Sequence, residues 1–77
     1  MMELLQLRYF LKLAESEHLT KTATALRISP PSLSSSIKKL EHELGTTLFT
    51  RSKQRLHLNE NGKNFYQDVP LRIFATD

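Results

Sequence analysis

The 77-residue chain has no cysteine and no tryptophan, and only two glycines and three prolines. The lack of cysteine excludes a disulfide framework, a thiolate metal site and a cysteine nucleophile. The glycines, Gly45 and Gly62, are far apart, so there is no glycine-rich loop to cradle phosphates. His18, His42 and His57 have no spacing of a metal motif. No apolar run approaches the roughly 18 residues of a membrane span, and no signal peptide opens the chain. A soluble, cytoplasmic, non-enzymatic single domain is expected, with no metal, no cofactor and no membrane association.

What is present is helical periodicity. Leu4, Leu7, Phe10, Leu11 and Ala14 repeat at three and four residues and predict a first helix over about 4–16. Thr20 is placed to cap a short second helix whose Ala23 and Leu26, with the following Ile28, face a core. Arg27-Ile28-Ser29 is a turn, and a third helix follows with Ser29 or Pro30 as its cap. The steric preference of a residue before proline puts its first residue at Pro31. Leu33, Ile37, Leu40 and Leu44 form its apolar stripe, and Gly45 ends it.

The opposite face of that third helix is small, polar and basic: Pro31, Ser35, Lys38 and His42. Short side chains let a helix backbone approach base edges in a groove, while flanking cations meet phosphates. The charge distribution agrees. Residues 18–63 carry eight basic side chains against Glu41, Glu43 and Glu60, a local net of +5 within a chain of net +3. A concentrated basic surface is the footprint of a polyanion binder.

Leu48–Arg51 and Arg55–Leu58 alternate apolar and polar residues and predict a short β-hairpin with a cationic tip. Asn59 caps a last helix carrying Phe65, Tyr66, Val69, Ile73 and Phe74, which Pro70 kinks or ends. The expected fold is mostly α, a winged helix-turn-helix. It has a three-helix core, a short hairpin wing and a C-terminal linker or dimerisation helix.

The chain resembles the N-terminal DNA-binding domain of LysR-type transcriptional regulators. The residues that carry the resemblance run almost its whole length. They are Leu7-Arg8-Tyr9-Phe10, Leu19 to Leu26, Ile28-Ser29 with Pro31, Leu33 and Ser34, then Ile37, Leu40-Glu41, Leu44-Gly45, Leu48 to Arg51 and Leu58 to Gly62. Within them, Leu-Glu-x-x-Leu-Gly-x-x-Leu-Phe-x-Arg over residues 40–51 is the most specific stretch. Four positions depart from the family pattern. Pro30 stands where glutamine is frequent, Ser35 where a basic residue is common, Lys53 for a wing-tip glycine and Asn59 for a threonine.

The resemblance implies a homodimeric reader of double-stranded promoter DNA. It implies a winged helix-turn-helix over 1–58 and the start of a linker helix over 59–77. The co-inducer-sensing effector domain of such regulators is absent from this chain, so a small-molecule co-inducer enters only if that domain follows in a longer protein. The expected DNA contacts are Thr20, Lys21, Ser29, Pro30, Pro31, Ser32, Ser34, Ser35, Lys38, Arg51, Lys53 and Arg55. Arg51 has two open roles, a backbone contact from the wing or an ion pair with Glu41. Phe65, Tyr66, Val69 and Ile73 form the expected dimer stripe. The alternative reading is a small protein-interaction module built on that stripe, which a domain of this size is not expected to cover by itself.

Overall fold

The computed structural model describes residues 4–53 and 55–69. The order is α1 (Leu4–Ser16), α2 (Leu19–Leu26), α3 (Pro30–Leu44), β1 (Phe49–Ser52), β2 (Arg55–Leu58) and α4 (Glu60–Asp68). The three-helix core, the antiparallel hairpin and the last helix match the expected winged helix-turn-helix.

Phe10 is the centre of the core. It is fully buried, and its ring lies 5.6 Å from that of Phe49, 5.1 Å from Phe65 and 6.3 Å from Tyr66. A helix that buries Phe10 also buries positions four before and three after it. Gln6 and Leu13 are accordingly buried, whereas Leu4, expected on the stripe, is 55% exposed. From α3, Leu33, Ile37 and Leu40 are buried as their spacing predicted, and Leu44 packs at the margin.

Two helix starts differ from expectation. The residue before α2 is His18, and Thr20 caps nothing. Ser16 Oγ accepts from the His18 amide at 3.0 Å and is paired with the buried Thr22 hydroxyl. That local bonding, together with the packing of Leu19 against the core, starts the helix two residues earlier than a Thr20 cap would. α3 begins at Pro30, not Pro31: Ser29 Oγ accepts from the Ser32 amide at 3.2 Å. The two prolines occupy the first turn, where their missing N–H groups forfeit no helical bond.

α2 and α3 end alike. Ile28 N donates to Ala23 O and Arg27 N to Thr24 O, while Thr46 N donates to Glu41 O and Gly45 N to His42 O. Both are Schellman closures with a left-handed residue, Gly45 at φ 73° and Arg27 at φ 62°. Glycine adopts that region without strain; Arg27 does so only because the closure holds it.

The hairpin pairs Phe49 with Leu58, Thr50 with His57, Arg51 with Leu56 and Ser52 with Arg55. Paired residues share a face, so Phe49, Arg51, Leu56 and Leu58 turn towards the domain. Backbone bonds clamp β2 to the α1–α2 turn: Leu56 N donates to Glu17 O at 3.0 Å, and His18 bridges Arg55. Asn59 caps α4 as expected, with Oδ1 accepting from Gly62 N at 2.7 Å. Its Nδ2 donates back to Thr47 O and Oγ1. α4 ends at Asp68, and Val69 is extended at φ −63°, ψ 114°, the conformation sterics impose before a proline. Pro70, Ile73 and Phe74 lie outside the described residues.

Candidate nucleic-acid interface

α3 presents an exposed row of Pro31, Ser32, Ser35, Lys38, Lys39 and His42, with Ser29 at its head and Pro30 and Ser34 half-buried beside it. The face follows from the period: with Leu33, Ile37 and Leu40 inward, these positions fall outside. Among them no bulky side chain stands between the helix backbone and an approaching surface over the first two turns. Ser29 Oγ donates to Ser32 Oγ at 2.9 Å while accepting from the Ser32 amide, which fixes that turn. Thr20 and Lys21 are exposed on the first turn of α2.

Arg51 does not pair with Glu41. Its Nη2 donates to Ser34 Oγ at 3.1 Å, joining wing to helix. The register explains it, since Arg51 shares the domain-facing side of the hairpin with Leu56. Glu41 has other work: Oε2 accepts from Leu48 N at 2.7 Å and Phe49 N at 3.4 Å, so the carboxylate anchors the chain entering β1. Sequence reasoning missed that role because it is a tertiary contact to backbone amides, which no side-chain pattern encodes.

The wing tip carries Lys53 in the left-handed region at φ 56°, between the closing pair Ser52–Arg55. Arg55 lies beside the α1–α2 turn. Its Nη2 is 3.9 Å from Glu17 Oε1, and His57 Nδ1 is 3.2 Å from Glu17 Oε2. The Arg55–Glu17 pair is half-exposed and contributes little stability, but it assigns Arg55 a carboxylate neighbour that sequence reading did not foresee. Desolvation by burial, then the charges of Arg55 and Lys21, lower the His18 pKa from 6.5, with Glu17 opposing.

The expected dimer stripe is largely spoken for. Val69 is buried, and Phe65 is half-buried with its ring edge-on to Phe10. Tyr66 alone of the described members is exposed, at 38%, and Ile73 lies outside the described residues. The domain therefore covers two of the three described members of that stripe itself, because Phe10 reaches across from α1 to meet Phe65. Among the described residues there is no cluster suited to a metal ion, and no helix is long and apolar enough to cross a membrane.

A helix pair joined by a tight turn, with a hairpin tied to the second helix by Arg51, defines a winged helix-turn-helix module. The family model for bacterial regulatory helix-turn-helix proteins of the lysR family matches residues 4–63. The chain belongs to that family. It is 51% identical over 76 residues to the HTH-type transcriptional regulator BudR of Klebsiella aerogenes, covering 99% of this chain and 53% of that protein. It is 44% identical over 66 residues to the HTH-type transcriptional activator IlvY of Haemophilus influenzae, covering 86% of this chain and 23% of that protein. The chain thus spans about half the length, or less, of these curated relatives.

Among solved structures, a complex of the CbnR DNA-binding domain with DNA aligns at TM-score 0.87 and 33% identity, covering 97% of this chain and 85% of that one. The BenM DNA-binding domain in complex with catB site 1 DNA aligns at TM-score 0.85 and 37% identity, covering 97% and 80%.

Proposed function

We propose that this chain is the DNA-reading part of a bacterial transcriptional regulator, binding double-stranded DNA sequence-specifically with α3 in the major groove. The observation that carries this reading is the exposed α3 face. It is walled by prolines and serines and flanked by Lys38, in a domain that aligns with relatives solved on DNA. A groove about 12 Å wide admits one helix, and only short side chains bring its backbone near base edges. In this reading Pro30, Pro31, Ser32, Ser34 and Ser35 meet the bases. Thr20, Lys21, Ser29 and Lys38 meet phosphates, and Lys53 reaches the backbone from the wing. Arg51 acts beside Ser34, and Arg55 contributes a charge shared with Glu17.

The relatives' names as transcriptional regulators support a non-enzymatic role; a cytoplasmic location and no cofactor belong to the same reading. A homodimer would present two α3 helices to two half-sites. Tyr66, and Ile73 beyond the described residues, are the stripe members left for its interface. A winged domain over 1–58 followed by a linker segment, with any co-inducer bound by a further domain of a longer protein, completes the reading. The interaction-module alternative loses its main support, since Phe65 and Val69 are packed on the domain's own core.

Fluorescence anisotropy with duplex DNA tests the proposal. Binding at low salt is expected, with log affinity falling linearly as log salt rises. No binding, or binding indifferent to salt, rejects it.

A further inference from the structure

Arg51 and Ser34 belong to different elements, and their hydrogen bond links the wing to the base-reading helix. A hydroxyl has one proton to give and two lone pairs to accept with. In this structure Ser34 accepts from a guanidinium. A cationic donor withdraws electron density from the oxygen, which strengthens its O–H as a donor and weakens the oxygen as an acceptor. We propose that Arg51 is a positioning residue that sets the hydrogen-bond polarity of Ser34. Through it, Ser34 meets the major groove as a donor, selecting base edges that accept.

The proposal rests on the DNA-binding reading and goes further by naming the base chemistry. Acceptors in the major groove are guanine N7 and O6, adenine N7 and thymine O4, while cytosine offers its amino donor. Opposite Ser34 the first group is favoured and cytosine is disfavoured. The consequence is large for this helix because α3 contains no arginine, asparagine or glutamine, and its lysines, Lys38 and Lys39, lie beyond its first two turns. Single hydroxyl bonds carry its discrimination, so their direction matters. Ser32 provides an internal control. Its hydroxyl accepts from Ser29, not from Arg51, and its preference is independent of the wing.

The test is selection of binding sites from a randomised duplex library. Anisotropy then measures the selected site and each of its single base-pair variants. The chains compared are the wild type, Ser34→Ala, Arg51→Met, Arg51→Lys and the Ser34→Ala/Arg51→Met double variant, each checked for folding by circular dichroism. The wild type is expected to discriminate against cytosine at one base position by about fivefold, the worth of one hydrogen bond. Ser34→Ala and Arg51→Met each flatten that position, and the double variant flattens it no further. Arg51→Lys, which keeps a cationic donor, restores part of it, and the base preference set by Ser32 stays unchanged throughout.

A loss from Arg51→Met that is uniform across all base pairs makes Arg51 an ordinary phosphate contact and overturns the proposal. Cytosine tolerated opposite Ser34 in the wild type overturns it equally. Failure of the wild type to bind any duplex is a different result, which removes the DNA reading and this inference with it.

Discussion

Gly62 lies so close to Leu48 that a Cβ built on it would sit 2.0 Å from the Leu48 carbonyl oxygen and 2.9 Å from Leu58 Cδ2. The same Leu48 oxygen accepts from Asn59 N at 2.9 Å. The first turn of α4 therefore rests directly on the residue that leads into β1. The contact is with backbone, which cannot swing aside as a side chain can.

Gly62→Ala is expected to destabilise the domain by about 2–3 kcal/mol, the upper range for overpacking, despite alanine's better helix propensity. Urea denaturation measures it. A neutral or stabilising result would show that α4 can lift from Leu48 without cost.

Glu41 holds the start of β1 through two amides, Leu48 and Phe49. Glu41→Ala leaves both part-buried donors unsatisfied and is expected to cost about 1–3 kcal/mol. Glu41→Gln keeps a neutral acceptor and costs less. Equal losses in the two variants would mean that the charge and the acceptor contribute nothing separable.

Lys53 occupies the left-handed region at the wing tip. Lys53→Gly relieves a strain of about 1 kcal/mol, partly offset by glycine's freedom in the unfolded chain, so a small gain in thermal stability is expected. The same variant is expected to weaken DNA binding uniformly across sequences and to reduce the salt slope by about 1. Stability gained with DNA affinity unchanged would show that the strained lysine serves no contact.

Tyr66 is the exposed member of the described α4 stripe. Sedimentation equilibrium is expected to show a concentration-dependent dimer that Tyr66→Asp weakens while leaving the fold intact. Phe65→Asp, by contrast, places a charge against Phe10 and unfolds the chain rather than separating two folded copies. A monomer at high micromolar concentration, or a dimer indifferent to Tyr66→Asp, rejects the interface.

Periodicity alone determined the three-helix core, the hairpin, the Gly45 end of α3 and the Asn59 cap, because each depends on residues within a few positions of one another. The exposed face of α3 was legible for the same reason: fixing Leu33, Ile37 and Leu40 inward fixes what lies outside. Only the tertiary structure decided which partners the charged and aromatic side chains take. The hairpin register turned Arg51 to Ser34 and left Glu41 to the Leu48 and Phe49 amides, while the clamp of β2 on the α1–α2 turn set Arg55 beside Glu17. Phe10, reaching from α1, packed against Phe65, which the helix pattern had left for a partner chain, and half-buried it. These partners are 17 to 55 residues apart for Arg51–Ser34 and Phe10–Phe65. Separations of that size are set by how elements pack, and local spacing does not record them.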